Sequence, residues 1–367
     1  MMNMTIKNFC PNVNYAVFFL FISLNLFGQD NEFKIEKIIS GIEVNDISGD
    51  EENIWFATNG KGIYKYDLKT NNLSNYSTLL DNLQMDFFYC LTSNKDYVWA
   101  GSTDGLFILD KKRDRWSKRK FGKGGQLSNW IRSVEYDPYD NSVWIGRFMY
   151  LTKFDMKDKR FYDYDLTQNQ NMKTNTIKTV KVDGDSLVWF GTEAGLHKYD
   201  KSRSIDYDEA LKFYDNSFNY FYGEGESVSI SAVLVEQNNL WIGLDEFITA
   251  DNPEYNLGGL YKFNRKNEWT KFDDKTGLSG NGIFCLERTG KYIWAGIYQF
   301  GKNTKDIYGR GLAIINSITN EVKEIRNEIL PYTILSLYFD GKNMWVGTDS
   351  GAFRIELTND LTNLNGN

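Results

Sequence analysis

One position recurs seven times along this chain and restricts what the chain can fold into. Tryptophan holds it at Trp55, Trp99, Trp144, Trp189, Trp241, Trp294 and Trp345, which is seven of the ten tryptophans. An apolar residue precedes each one, from Ile54 to Met344, and glycine follows two residues later in six of the seven copies. Successive tryptophans lie 44, 45, 45, 52, 53 and 51 residues apart. A self-similar period of this length points to a repeat array that makes one large domain, so chain length is not a domain count here.

Each unit has the same internal order. An apolar strand comes first, as in Ile131-Arg132-Ser133-Val134 or Ile334-Leu335-Ser336-Leu337. A short polar turn leads to the tryptophan strand, and a turn ending in Gly-Leu or Gly-Ile leads to a third strand such as Gly195-Leu196-His197-Lys198-Tyr199-Asp200. A short polar strand closes the unit, as in Glu268-Trp269-Thr270-Lys271-Phe272. Four short strands per unit, seven units in register, predict an all-β, seven-bladed β-propeller. High aromatic content (16%) with only four prolines suits many short strands. Burying one tryptophan of roughly 150–250 Å² between blades is worth about 4–6 kcal/mol as an upper bound. The glycine two residues on lets a neighbouring backbone come close.

The last unit ends after its third strand, Gly351-Ala352-Phe353-Arg354-Ile355-Glu356-Leu357, and lacks a fourth. Asn31-Glu32-Phe33-Lys34-Ile35-Glu36 matches the outer strands of the other units, so the N-terminal segment is expected to complete the last blade and close the ring. Ahead of it, Lys7, the apolar stretch Tyr15–Phe27 and Gly28 have the order of a secretory signal peptide over residues 1–28. Residues 29–367 are then one exported propeller domain, periplasmic or extracellular, with no second apolar run of membrane length.

The run Thr276-Gly277-Leu278-Ser279-Gly280-Asn281, the Leu-Trp-Ile-Gly of Leu240–Gly243 and the Gly-Leu-Tyr-Lys-Phe of Gly259–Phe263 resemble the two-component regulator propeller repeat. The resemblance covers about residues 31 to 357. It implies an extracytoplasmic sensor propeller of the kind found in hybrid histidine kinases, often one that detects glycan fragments. No kinase or DNA-binding segment follows the propeller pattern in this sequence, so what the resemblance carries over is a ligand- or partner-binding body.

Unequal loops point to one face. The excursion between second and third strands is long in the fifth copy, through Asp245 to Gly258, and in the sixth, through Ile297 to Arg310. The segment Tyr214–Glu224 entering the fifth copy is also long, and the third copy replaces the glycine step with Arg147-Phe148-Met149-Tyr150. Insertions of this kind mark the binding face of repeat folds. The candidate binding residues are Trp130, Arg147, Tyr150, Tyr220, Tyr222, Asp245, Tyr255, Asn281, Tyr298, Tyr308 and Arg310. Flat aromatics beside carboxylates suit a polar ligand with apolar faces, such as a sugar, and equally suit rings that pack together to hold long loops. Asp86, Asn129, Asn175 and Asn281 sit at matching entries to first strands. They form either a polar ring at the channel mouth or local turn contacts.

Catalytic patterns are weak. The single histidine, His197, falls where other copies have Tyr64 or Tyr261 and is expected on a strand surface, so no Ser-His-Asp arrangement follows from it. Carboxylates are many but none is singled out by the spacing glycosidic chemistry needs. Asp245, Glu246 and Asp251 could hold calcium, though a solvated acidic loop is the commoner reading, and no zinc pattern occurs. No cofactor is expected. Net charge of −7 argues against nucleic acid as a partner. Cys90 and Cys285 occupy one repeat position in distant blades and are expected as separate free thiols. A basic run, Lys111 to Lys123, falls on the outer edge of the second blade. It serves either to guard an edge strand or to dock an acidic partner or anionic glycan.

The expected function is therefore an exported binding module whose ligand is a glycan or a protein. The alternatives are a polysaccharide lyase or hydrolase on a propeller scaffold, and a structural partner in a cell-envelope assembly.

Overall fold

The computed structural model describes residues 33–80, 83–225, 227–248, 256–300 and 307–362. The leader segment and Tyr255 and Asp251 lie outside these residues. Seven four-stranded antiparallel sheets follow one another, numbered here blades I to VII in chain order. Blade VII takes its outer strand, Lys34–Ser40, from the start of the chain, paired from Lys34↔Glu356 to Ser40↔Gly351. Lys34 to Glu356 (2.9 Å) and Arg354 to Glu36 add ion pairs across that closure. The expected seven-bladed ring and its N-terminal clasp are both present.

The repeat tryptophans are at most 1% exposed. Each packs into the next blade: Trp55 with Val98 and Ala100, Trp144 with Val188 and Phe190, Trp345 with Ile54 and Phe56. The glycine after the tryptophan strand's core has a steric reason. A Cβ on Gly191 would lie 2.6 Å from Ile230 Cγ2, and one on Gly243 2.6 Å from Ile283 Cγ2, each isoleucine lying near the start of the next inner strand. On the third strand a lysine or arginine pairs with the tryptophan and lies over its indole at 5.1 to 5.9 Å in five blades, as Lys153 does over Trp144.

The two long excursions are strands, not loops. Blade V runs Leu240–Ile248 into Asn256–Phe263, with pairing out to Ile248↔Asn256. Blade VI runs Tyr292–Phe300 into Ile307–Asn316, with pairing out to Phe300↔Ile307. Continuing the ladder satisfies backbone groups that a loop would leave to water. The segment entering blade V folds as tight turns over Ser217–Gly223, with Phe218, Asn219, Phe221 and Tyr222 in the left-handed region. Phe221, 1% exposed against Trp269 at 4.6 Å, anchors that strained backbone.

His197 is not on a surface. It is fully buried, its ring Nε2 lies 2.9 Å from the Thr174 carbonyl, and it stacks near Phe213 at 4.6 Å. Only an Nε2–H can donate to a carbonyl, so the ring is the neutral Nε2–H tautomer, and burial lowers its pKa to about 4. The sequence comparison misled because Tyr261, at the same repeat position, is itself 1% exposed. Cys90 and Cys285 are free, as expected. Their thiols face the carbonyls of Ile131 and Ile334 on the next inner strands.

Candidate functional site

The inner strands share a feature that no single copy reveals. Six of them shift register at the same step, skipping Asn45, Arg132, Lys178, Ser231, Phe284 and Leu335. In blade II the ladder starts at Cys90, and Tyr89 holds the matching place. A bulge re-aims the side chain it inserts. All seven residues line the central channel, a cavity of about 480 Å³. The ring is chemically lopsided: Arg132 and Lys178 sit on neighbouring blades III and IV, and Phe284 and Leu335 on blades VI and VII.

The cations are held in place. Lys178 Nζ reaches Asp245 and donates to Ser229 Oγ (3.1 Å), and Arg132 pairs with Glu193 at 2.6 Å. Tyr298 donates to Asp245 Oδ1 and accepts from the Glu246 amide, both at 3.2 Å, and packs on Phe284 at 4.3 Å. Burial and the neighbouring Asp245 push the Tyr298 hydroxyl well above its usual range, so it stays a donor. The long hairpin of blade VI thus reaches that of blade V at the rim. On the other side of the mouth, Trp130 stacks on Phe148 (5.2 Å, 8° between planes), Tyr89 leans on Trp130 at 6.0 Å, and Arg132 lies over both stacked rings.

Deeper in the channel lie Asp46, Glu135, Lys181 and Glu287. Lys181 meets Glu135 at 3.2 Å, and that carboxylate raises the lysine pKa. Burial raises Glu287, and it raises Asp46 to about 7 although Asp46 accepts from the amides of Leu91 and Ile47. No cluster of three or more His, Cys, Asp or Glu suited to a metal ion occurs among the described residues.

The structure separates the candidates read from the sequence. Trp130, Asp245 and Tyr298 converge on the mouth. Tyr308 and Arg310 stand on the blade VI hairpin, where Arg310 donates to Gln299 (2.6 Å) and Tyr308 is half exposed. Tyr220 and Tyr222 pack on the outer strand of blade V: Tyr220 lies 6.0 Å from Trp269, and Tyr222 donates to its carbonyl at 2.6 Å. Arg147 is fully buried, paired with Asp163 at 2.9 Å and lying over Phe121 and Tyr150. Asn129, Asn175 and Asn281 accept from the amides of Phe121, Leu166 and Asp274, and Asp86 accepts from Thr78. These four close the linkers between blades, which is the turn role. Arg132, Lys178, Glu193, Phe148 and Phe284 escaped the sequence reading. For Arg132, Lys178 and Phe284 the signal available was the alignment of the residue that follows the first apolar position of each inner strand.

No family model matches the sequence. Among solved structures, the extracellular domain of the hybrid two-component system BT4673 from B. thetaiotaomicron superposes with a TM-score of 0.64 at 18% identity, covering 87% of this chain and 39% of that one. That of BT3049 from the same organism gives 0.60 at 17%, covering 85% and 40%. The chain's structural neighbours are the extracellular propellers of hybrid two-component systems. Among curated proteins, Histidine kinase P4 of Formosa agariphila is 25% identical over 332 residues, 87% of this chain and 22% of the kinase. The chain thus spans less than half of each of these sensor proteins. Virginiamycin B lyase from Staphylococcus aureus shares the fold at TM-score 0.65 and 13% identity, with 89% and 100% covered. Among the described residues no helix is long and apolar enough to cross a membrane.

Proposed function

We propose that this chain is an exported ligand-binding propeller, working outside the cytoplasm as the sensor propellers do, and that its ligand sits at the channel mouth. The observation that carries this reading is the lopsided ring of bulge residues, with Arg132 and Lys178 facing Phe284 and Leu335. One side offers charged hydrogen bonds and the other an apolar wall, while the Trp130–Phe148 stack supplies a flat face. That combination suits a glycan fragment, whose rings have polar edges and apolar faces. Asp245, Tyr298, Tyr308 and Arg310 form the flanking wall on the hairpins of blades V and VI.

The test is the melting temperature of residues 29–367 against a panel of oligosaccharides. A ligand at a hundred times its Kd adds about 2.7 kcal/mol, a readable shift. A shift with particular sugars, lost in Arg132→Ala and Phe148→Ala, supports a glycan site at the mouth. No shift with any sugar moves the ligand class to protein.

A further inference from the structure

The seams that close blades I, III and IV share a lock. Trp55 Nε1 donates to Asp50 Oδ2 at 2.9 Å, and Lys111 of the next blade reaches the same carboxylate. Trp144 and Lys201 hold Asp137 in the same way (3.4 and 2.8 Å), and Trp189 and Arg265 hold Asp183 (2.8 and 2.5 Å). A lysine from the third strand lies over each of these indoles: Lys65, Lys153 and Lys198.

Between blades II and III every part of the lock is altered. Asn94 replaces the acid and turns its Oδ1 to the amides of Asp96 and Tyr97. Met156 stands where Lys111, Lys201 and Arg265 stand in the other blades. Ile108 pairs with Trp99 in place of the lysine. Trp99 is fully buried, and among the seven repeat tryptophans its indole N–H alone has no hydrogen-bond partner.

At this seam a groove of about 620 Å³ opens. Trp99, Ile108, Phe154, Met156 and Phe161 form its floor. Arg115, Ser117 and Arg119, alternate residues of blade II's outer strand Arg115–Arg119, face it, while Trp116 turns away to Tyr76. Lys159 stands on the opposite wall. Arg113 is paired with Asp110, and Arg119 lies over Phe161 at 4.7 Å, but no ion pair occupies Arg115 or Lys159 among the described residues. The outer strand pairs on one side only and leaves a free sheet edge.

We infer that this groove binds an extended acidic peptide, with an aliphatic or aromatic side chain against Ile108 and Met156 and carboxylates against Arg115 and Lys159. Charge complementarity selects that occupant: the rim gathers cations on a chain whose net charge is −7. The free strand edge offers main-chain pairing to an extended segment. Ile108 and Met156 in the floor fit a peptide side chain better than a sugar ring. A basic edge that merely resists aggregation accounts for the arginines. It leaves the apolar floor without a reason.

The test is fluorescence anisotropy of the full chain with a labelled dodecapeptide of alternating Asp and Leu, beside the same peptide with Asn for Asp and beside polygalacturonate. Binding is expected for the acidic peptide, weakening with salt and falling about tenfold in the Arg115→Glu, Lys159→Glu double variant. Bound peptide should slow amide exchange in 115–119 and 154–161. Asn94→Asp with Met156→Lys rebuilds the lock, and should raise the melting temperature while abolishing binding. Absence of binding to the acidic peptide, or binding indifferent to both double variants, overturns the proposal. Binding of polygalacturonate alone overturns it in favour of an anionic glycan.

Discussion

Lys178 of blade IV and Asp245 of the adjacent blade V form an ion pair at the channel mouth, with Ser229 bonded to both side chains and Tyr298 closing the carboxylate from the blade VI hairpin. The pair is mostly shielded from water, with 12% and 26% side-chain exposure. Breaking such a pair on one side leaves a charge without its partner, whereas removing both can be nearly neutral. Asp245→Ala is therefore expected to cost roughly 1–3 kcal/mol in urea denaturation, and Lys178→Met in the same chain to recover most of it. Equal losses in the single and double variants would show that the pair contributes nothing through charge.

His197 makes stability depend on acid pH. Its folded pKa of about 4 lies below the unfolded value, so between the two the unfolded chain takes the proton. The stabilisation is complete above about pH 6.5 and is lost as pH falls towards 4, by up to roughly 3 kcal/mol. His197→Phe should lower stability at neutral pH, since the Thr174 carbonyl loses its donor, and flatten this acid slope. Melting temperatures from pH 4 to 7 measure it.

Asp46 acts with the opposite sign. Its folded pKa is raised to about 7, so the folded chain holds the extra proton between about pH 4 and 7. Its contribution to stability declines as pH rises through that window and levels off above it. Asp46→Asn cannot ionise, but its single amide oxygen can accept from only one of the Ile47 and Leu91 amides, which bond to different oxygens of Asp46. Beside the constant cost of the lost acceptor, the variant should lack the parent's decline in melting temperature between pH 4 and 8, so that it gains several degrees on the parent over that range. A constant difference across the range would assign the effect to packing instead.

Gly191 tests the close approach between blades. Gly191→Ala drives a methyl into Ile230 and Thr179 and should cost roughly 1–3 kcal/mol. Gly122→Ala meets nothing within 4 Å and should be near neutral. Equal costs at the two sites would remove the steric explanation for the repeat glycine.

The ring was legible because burial, spacing and strand order agree in seven copies, so Trp55 or Trp345 alone would have meant little. The clasp was legible because the last unit lacked a strand that residues 31–36 matched. The mouth was not legible in the same way. Arg132, Lys178 and Phe284 share no motif and converge only because a bulge falls at one step of six of the inner strands. Length revealed the excursions of blades V and VI but not that their backbones stay paired. Tyr220 and Arg147 looked available because polarity and position suggest exposure, whereas Trp269 and Asp163 engage them. His197 failed for a related reason, since a third strand is covered by its neighbours on both sides.

The clasp at Lys34–Ser40 has a consequence for how the ring comes into being. Those residues are made well before their partners Gly351–Glu356, so the two meet only after more than three hundred intervening residues exist. Contacts so distant along a chain form slowly. Until then the segment must wait unpaired, and its exposed Lys34, Glu36 and Lys37 keep a lone strand in water rather than on the wrong sheet. A strand made early is thus among the last to find its place.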